Sequence, residues 1–136
     1  DHSTILLAIA GSYTGVIVAA MNGATRNVLL AVAWVIAAVG IGLRVFWFDC
    51  PPVVIGLVYI GTGWMVLVNP GAYLSGLRGR ELALLVTGGV LYTLGAAVLA
   101  MKWPNPWPAK FGYHEIFHTF VVAAAFVHWL TLFVLI

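Results

Sequence analysis

The 136-residue chain carries six Lys or Arg and four Asp or Glu, 7 % in all, against 63 % apolar residues and a mean hydropathy of +1.08. So few charges cannot cover a water-facing globule, and disorder requires low hydrophobicity with high charge, so both are excluded and the solvent is lipid. The formal net charge of +2 is small and scattered, which speaks against a nucleic-acid partner.

The fold class expected is all-α, a polytopic transmembrane helix bundle in a single domain over residues 1–136. A spanning helix takes about 20 mostly apolar residues. Five stretches in chain order predict one each: residues 4–21, 28–48, 53–69, 82–101 and 113–136. They lack the period-2 alternation of barrel strands and are far longer than such strands. The connections carry breakers: Asn22-Gly23, then Pro51 and Pro52, then Asn69-Pro70-Gly71, then Pro104, Pro106 and Pro108. Cys50 is the single cysteine, so no internal disulfide forms. The chain opens on Asp1 and His2 with neither a Met nor a basic leader, and is expected to be a fragment whose N-terminal part is absent.

Short connections make neighbouring spans antiparallel. The first, third and fifth therefore start in one leaflet, which brings Asp1, His2, His114, Glu115 and His118 to the same side. Charge does not orient the bundle: Arg26, Arg78 and Arg80 fall on one side and Arg44, Lys102 and Lys110 on the other. Helix contacts in lipid rely on small residues. Ala8, Gly11, Ser12, Gly15 and Ala19 in the first span, Gly88, Gly89, Gly95 and Ala96 in the fourth, and Ala123, Ala124 and Ala125 in the fifth are read as bundle packing.

The stretch that carries chemistry is Phe111-Gly-Tyr-His-Glu-Ile-Phe-His118, which opens the last span. His114 and His118 are i and i+4, about 40° apart around the helix and ~6 Å along it. Two imidazoles on one face make a zinc half-site, and zinc needs a third protein ligand. The structural alternative is a pair of interfacial histidines bonded to loop carbonyls. His128, ~15 Å further along the helix, is too far to be that ligand and reads as a packing or interfacial residue. His114-Glu-Ile-Phe-His118 also fits the H-E-x-x-H pattern of metalloproteases, which would make Glu115 the general base. Intramembrane proteases of that pattern add an Asp in an Asn-Pro-Asp-Gly-like turn. The nearest text here, Asn69-Pro-Gly-Ala72, has none and belongs to the opposite leaflet. Glu115 is otherwise an interfacial carboxylate or a partner for Lys110.

Residues 1–14, DHSTILLAIAGSYT, resemble the opening of the third span in the hemolysin III family, and residues 113–128, YHEIFHTFVVAAAFVH, resemble its last span. Leu91-Tyr-Thr-Leu-Gly95 and the loop 102–108 also fit its bacterial members. This family stands with the adiponectin and progestin receptors and is related to the alkaline ceramidases. The resemblance covers the whole chain and makes it the last five of seven spans. It implies a buried zinc near the cytoplasmic leaflet of a multi-pass protein of the cell membrane. His114 and His118 match two of the family's three histidine ligands. The third belongs to the second span, which this chain lacks. Asp1 matches the acid that holds or activates the zinc-bound water. What would follow is a zinc-dependent hydrolase in which Asp1 acts as general base on a lipid amide or ester entering from the bilayer. The alternatives are a receptor bundle with structural zinc, or a pore-forming haemolysin. The second to fourth spans offer few residues to line a pore.

Trp103, Trp107 and Phe111, interleaved with prolines, read as an interfacial aromatic belt. Arg44 reads as a snorkelling charge. Trp34, Trp47, Trp64 and Trp129 read as lipid-facing or packing residues, and no role is assigned to Cys50.

Overall fold

The computed structural model describes residues 2–47 and 49–136, with His2 described by its backbone only. Six α-helices follow one another among the described residues: α1 (His2–Ala20), α2 (Gly23–Phe46), α3 (Pro52–Gly63), α4 (Pro70–Gly76), α5 (Gly79–Met101) and α6 (Tyr113–Leu135), with a 3₁₀ turn over Met65–Leu67. Helices α1, α2, α5 and α6 are long and apolar enough to cross a membrane. The protein is a multi-pass membrane helix bundle.

Each boundary has a local cause. Gly23 takes φ +60 after Asn22, a left-handed conformation that favours glycine, and this reverses the chain within two residues. Helix α2 can therefore begin at residue 23 rather than the expected 28, drawing Arg26 and Asn27 into its first turns. Helix α5 begins at Gly79, where residue 82 was expected, and so includes Arg80 and Glu81. Helix α6 starts at Tyr113, as the sequence predicts, with Gly112 as its N-cap.

The third span departs most from expectation. A continuous helix over 53–69 is predicted, but α3 stops at Gly63 and runs into the 3₁₀ turn. At ~1.5 Å per residue its 12 residues reach about 18 Å, short of the ~30 Å hydrocarbon core. The end is held from outside: the Tyr13 hydroxyl donates to the Gly63 carbonyl at 2.6 Å. That satisfies one of the carbonyls a helix C-terminus leaves open. The chain then turns into α4, where Asn69 Oδ1 accepts from the Ala72 N–H at 3.2 Å and Pro70 opens the helix. Gly76, at the end of α4, packs against the Ala20 carbonyl so closely that a Cβ would lie 2.7 Å from it.

The bundle is a ring. α1 packs on α2, α3 and α6; α5 packs on α3 and α6; α2 closes against α3. Leu6, Ile9, Tyr13, Leu29, Tyr59, Leu85, Tyr92, Phe117 and His128 fill the centre. Val35, Leu57, Leu94, Val122, Phe126 and Phe133 face outwards, as residues in lipid should. The small residues of α5 are buried as expected. Those of α1 divide: Ser12 and Gly15 meet α6, whereas Ala8, Gly11 and Ala19 are exposed.

Parallel packing of α1 on α6 sets the depth of the site. Ser12 meets His128, and a Cβ on Gly15 would lie 2.8 Å from Leu132. The same offset brings the first turn of α1 level with His118.

Candidate metal centre

The first two turns of α6 carry the histidine pair. Nε2 of His114 and Nε2 of His118 stand 3.0 Å apart, with ring centroids at 4.6 Å and planes at 82°. Two nitrogens sharing one tetrahedral zinc at ~2.05 Å each would be about 3.3 Å apart. The pair therefore fits two legs of such a site without a change of helix geometry. Both rings are half-buried. Behind them lies buried Phe117, its ring centroid 6.2 Å from His114 and 5.1 Å from His118. Tyr59 of α3 backs Phe117 at 5.6 Å. The imidazoles thus rest against an apolar wall on the bundle side.

Glu115 is exposed, and its carboxylate accepts the Gly112 N–H at 2.8 Å. This N-terminal cap places a negative charge at the positive end of the helix dipole and ties up one of the amides the helix leaves open. Its oxygen serves the helix end, and no contact to Lys110 accompanies it among the described hydrogen bonds.

His128 is fully buried. Its Nδ1 is 3.4 Å from Ser12 Oγ, its Nε2 is 3.4 Å from the Leu85 carbonyl, and the rings of Tyr13 and Tyr92 meet it edge-on at 5.0 and 5.5 Å. It is a packing residue deep in the bundle, as its distance from His118 predicts.

Asp1 lies outside the described residues, and so does the side chain of His2. Among the described residues no group of three or more His, Cys, Asp or Glu converges. Within the described residues the His114–His118 pair offers two nitrogens, one short of the three protein ligands a catalytic zinc takes. Trp103, Trp107 and Phe111 are exposed in the α5–α6 loop, and Arg44 is exposed near the end of α2. Trp34 and Trp64 donate to Thr14 and Thr93 at 3.1 and 2.8 Å, tying α2 to α1 and α3 to α5. Sequence reasoning missed Glu81. Its neighbours Arg78 and Arg80 mark a loop, and only the earlier start of α5 reveals that it is buried.

The fold is a polytopic helix bundle with a paired-histidine helix start. The Haemolysin-III related family model matches residues 1–129, and the chain belongs to that family. It is 33 % identical to Hemolysin-3 of Bacillus cereus over 125 residues, which is 92 % of this chain and 54 % of the relative. It is 30 % identical to the Hemolysin-3 homolog of Bacillus subtilis (strain 168) over 125 residues, 92 % of this chain and 56 % of the relative. It is also 42 % identical to the Adiponectin receptor protein of Drosophila melanogaster over 62 residues, 42 % of this chain and 14 % of that protein. The chain thus spans about half the length of the bacterial relatives. No solved structure matches it.

Proposed function

We propose that this chain is the metal-binding half of a membrane-embedded, zinc-dependent hydrolase acting on a lipid amide or ester. The observation that carries the reading is the convergence of two Nε2 atoms to 3.0 Å at the start of a spanning helix. Ionisable groups at membrane depth are costly and by default mark function. His114 and His118 would hold the metal as neutral imidazoles, with a third ligand from outside this chain. Bound zinc supplies Lewis acidity, which brings the pKa of water down towards 7. Phe117 and Tyr59 keep bulk water from the inner side of the imidazoles. The Asp1 carboxylate, by its match to the family motif, takes the proton from the attacking water and returns it to the leaving amine or alkoxide as the acyl bond breaks. Lipid reaches the half-buried rings laterally, from the bilayer, and the zinc side faces the cytoplasm.

Likeness to the adiponectin receptor protein favours a second reading, a signalling bundle in which the same metal is structural. A pore is less well supported: the buried polar and charged residues among those described are Thr62, Glu81, His128 and Thr131, on three helices and without a continuous row.

The test uses the full-length protein in lipid nanodiscs, with zinc content and hydrolysis of a long-chain lipid amide and ester as readouts. His114→Ala and His118→Ala are expected to lose zinc and turnover together. Asp1→Asn keeps zinc and loses turnover, and Glu115→Gln keeps both. Unchanged zinc in both histidine variants refutes the site. Turnover abolished by Glu115→Gln would shift the base to Glu115. A zinc-loaded protein that turns over neither lipid supports the receptor.

A further inference from the structure

At the end of the bundle away from His114 and His118, a cavity of about 240 Å³ lies between the start of α5 and the end of α6. Arg78, Arg80 and Glu81 line it on one side, and Val134, Leu135 and Ile136 on the other. Glu81 is 3 % exposed, and its buried Oε2 has no hydrogen-bond partner. An unpaired buried carboxylate oxygen forfeits the hydration it would have in water, a penalty that a cationic donor relieves. Arg78 and Arg80 are exposed at the same cavity, and neither bonds that oxygen. The first amides of α5 add positive potential beside them.

The lining therefore asks for two opposite charges close together: a cation with N–H donors for Glu81 and an anion for the two guanidiniums. It lies at the boundary of two spanning helices, with an apolar wall running from it along the end of α6. We propose that this cavity binds the phosphoethanolamine headgroup of a membrane phospholipid. The primary ammonium donates to the Glu81 carboxylate, the phosphate accepts from Arg78 and Arg80, and the acyl chains lie against the end of α6. A choline headgroup places methyl groups where Glu81 needs donors. A glycerol headgroup brings no cation to Glu81. The site is remote from the histidine pair and holds whether or not the chain is a hydrolase.

The experiment is native mass spectrometry of the full-length protein in detergent micelles mixed with equimolar phosphatidylethanolamine, phosphatidylcholine and phosphatidylglycerol. The wild type is expected to retain phosphatidylethanolamine over phosphatidylcholine by about tenfold or more, the scale of one charge-assisted hydrogen bond. Glu81→Gln, which keeps the side-chain shape, brings that ratio to about one. Arg78→Gln with Arg80→Gln lowers retention of both lipids. Equal retention by the wild type, an unchanged preference in Glu81→Gln, or phosphatidylglycerol retained best overturns the proposal. Soluble phosphoethanolamine that displaces the lipid at equal concentration overturns the assignment to a lipid rather than a free headgroup.

Discussion

Gly88 and His128 show how tightly the middle of the bundle is set. A Cβ on Gly88 would run into the His128 ring, which is itself met edge-on by Tyr13 and Tyr92. Gly88→Ala is expected to cost about 1–3 kcal/mol, the usual penalty of overpacking, seen as a lower thermal unfolding midpoint in detergent. Gly11→Ala, where a Cβ meets nothing within 4 Å, should leave the midpoint unchanged or slightly higher. Equal midpoints for the two variants would contradict the packing described. At this scale the histidine pair was legible in the sequence, because i and i+4 spacing on a helix dictates one face. Glu115 was legible only as a carboxylate near a helix start. Whether it caps the helix or faces the imidazoles depends on a rotamer that spacing does not specify. Glu81 was not legible at all, since hydropathy places the sequence Arg-Gly-Arg-Glu outside the lipid.

Among the elements, α3 is the one whose length hydropathy misjudged. Trp64-Met-Val-Leu-Val68 is as apolar as the helix before it, so composition carries no sign of the break. The break comes from Gly63, whose carbonyl turns to Tyr13 and lies against Gly89 at 3.1 Å from an added Cβ. Tyr13→Phe removes the donor and leaves that buried carbonyl unpaired. It should destabilise the protein by about 1–3 kcal/mol, read from thermal unfolding in nanodiscs. A Tyr13→Phe variant as stable as wild type would mean that the hydrogen bond does not hold the end of α3. The other spans were legible because long apolar runs in lipid have one solution, a helix that satisfies its own backbone. Their ends moved by a few residues, as at Gly23, where a left-handed residue lets α2 start ahead of the apolar run.

At the scale of the molecule, the histidine pair and the charged cavity lie at opposite ends of the bundle, the first where α6 begins and the second where α5 begins. The parallel pairing of α1 with α6, fixed by Ser12 against His128 and Gly15 against Leu132, is what brings the start of α1 to the histidine level. Counting spans predicts that the first and last spans run the same way, and the packing of α1 on α6 gives the two helices a register. The chain covers about half of its bacterial relatives, and in the proposed reading His114 and His118 would give the metal two nitrogens, with a third ligand still to be supplied. Zinc-edge X-ray absorption on the full-length protein tests the central claim most directly. Imidazole nitrogens are expected at about 2.0–2.1 Å in the metal's inner shell, with that signature lost when His114 and His118 are both replaced by Ala. An inner shell of sulfur or oxygen alone, or an imidazole signature that survives the double replacement, would contradict it.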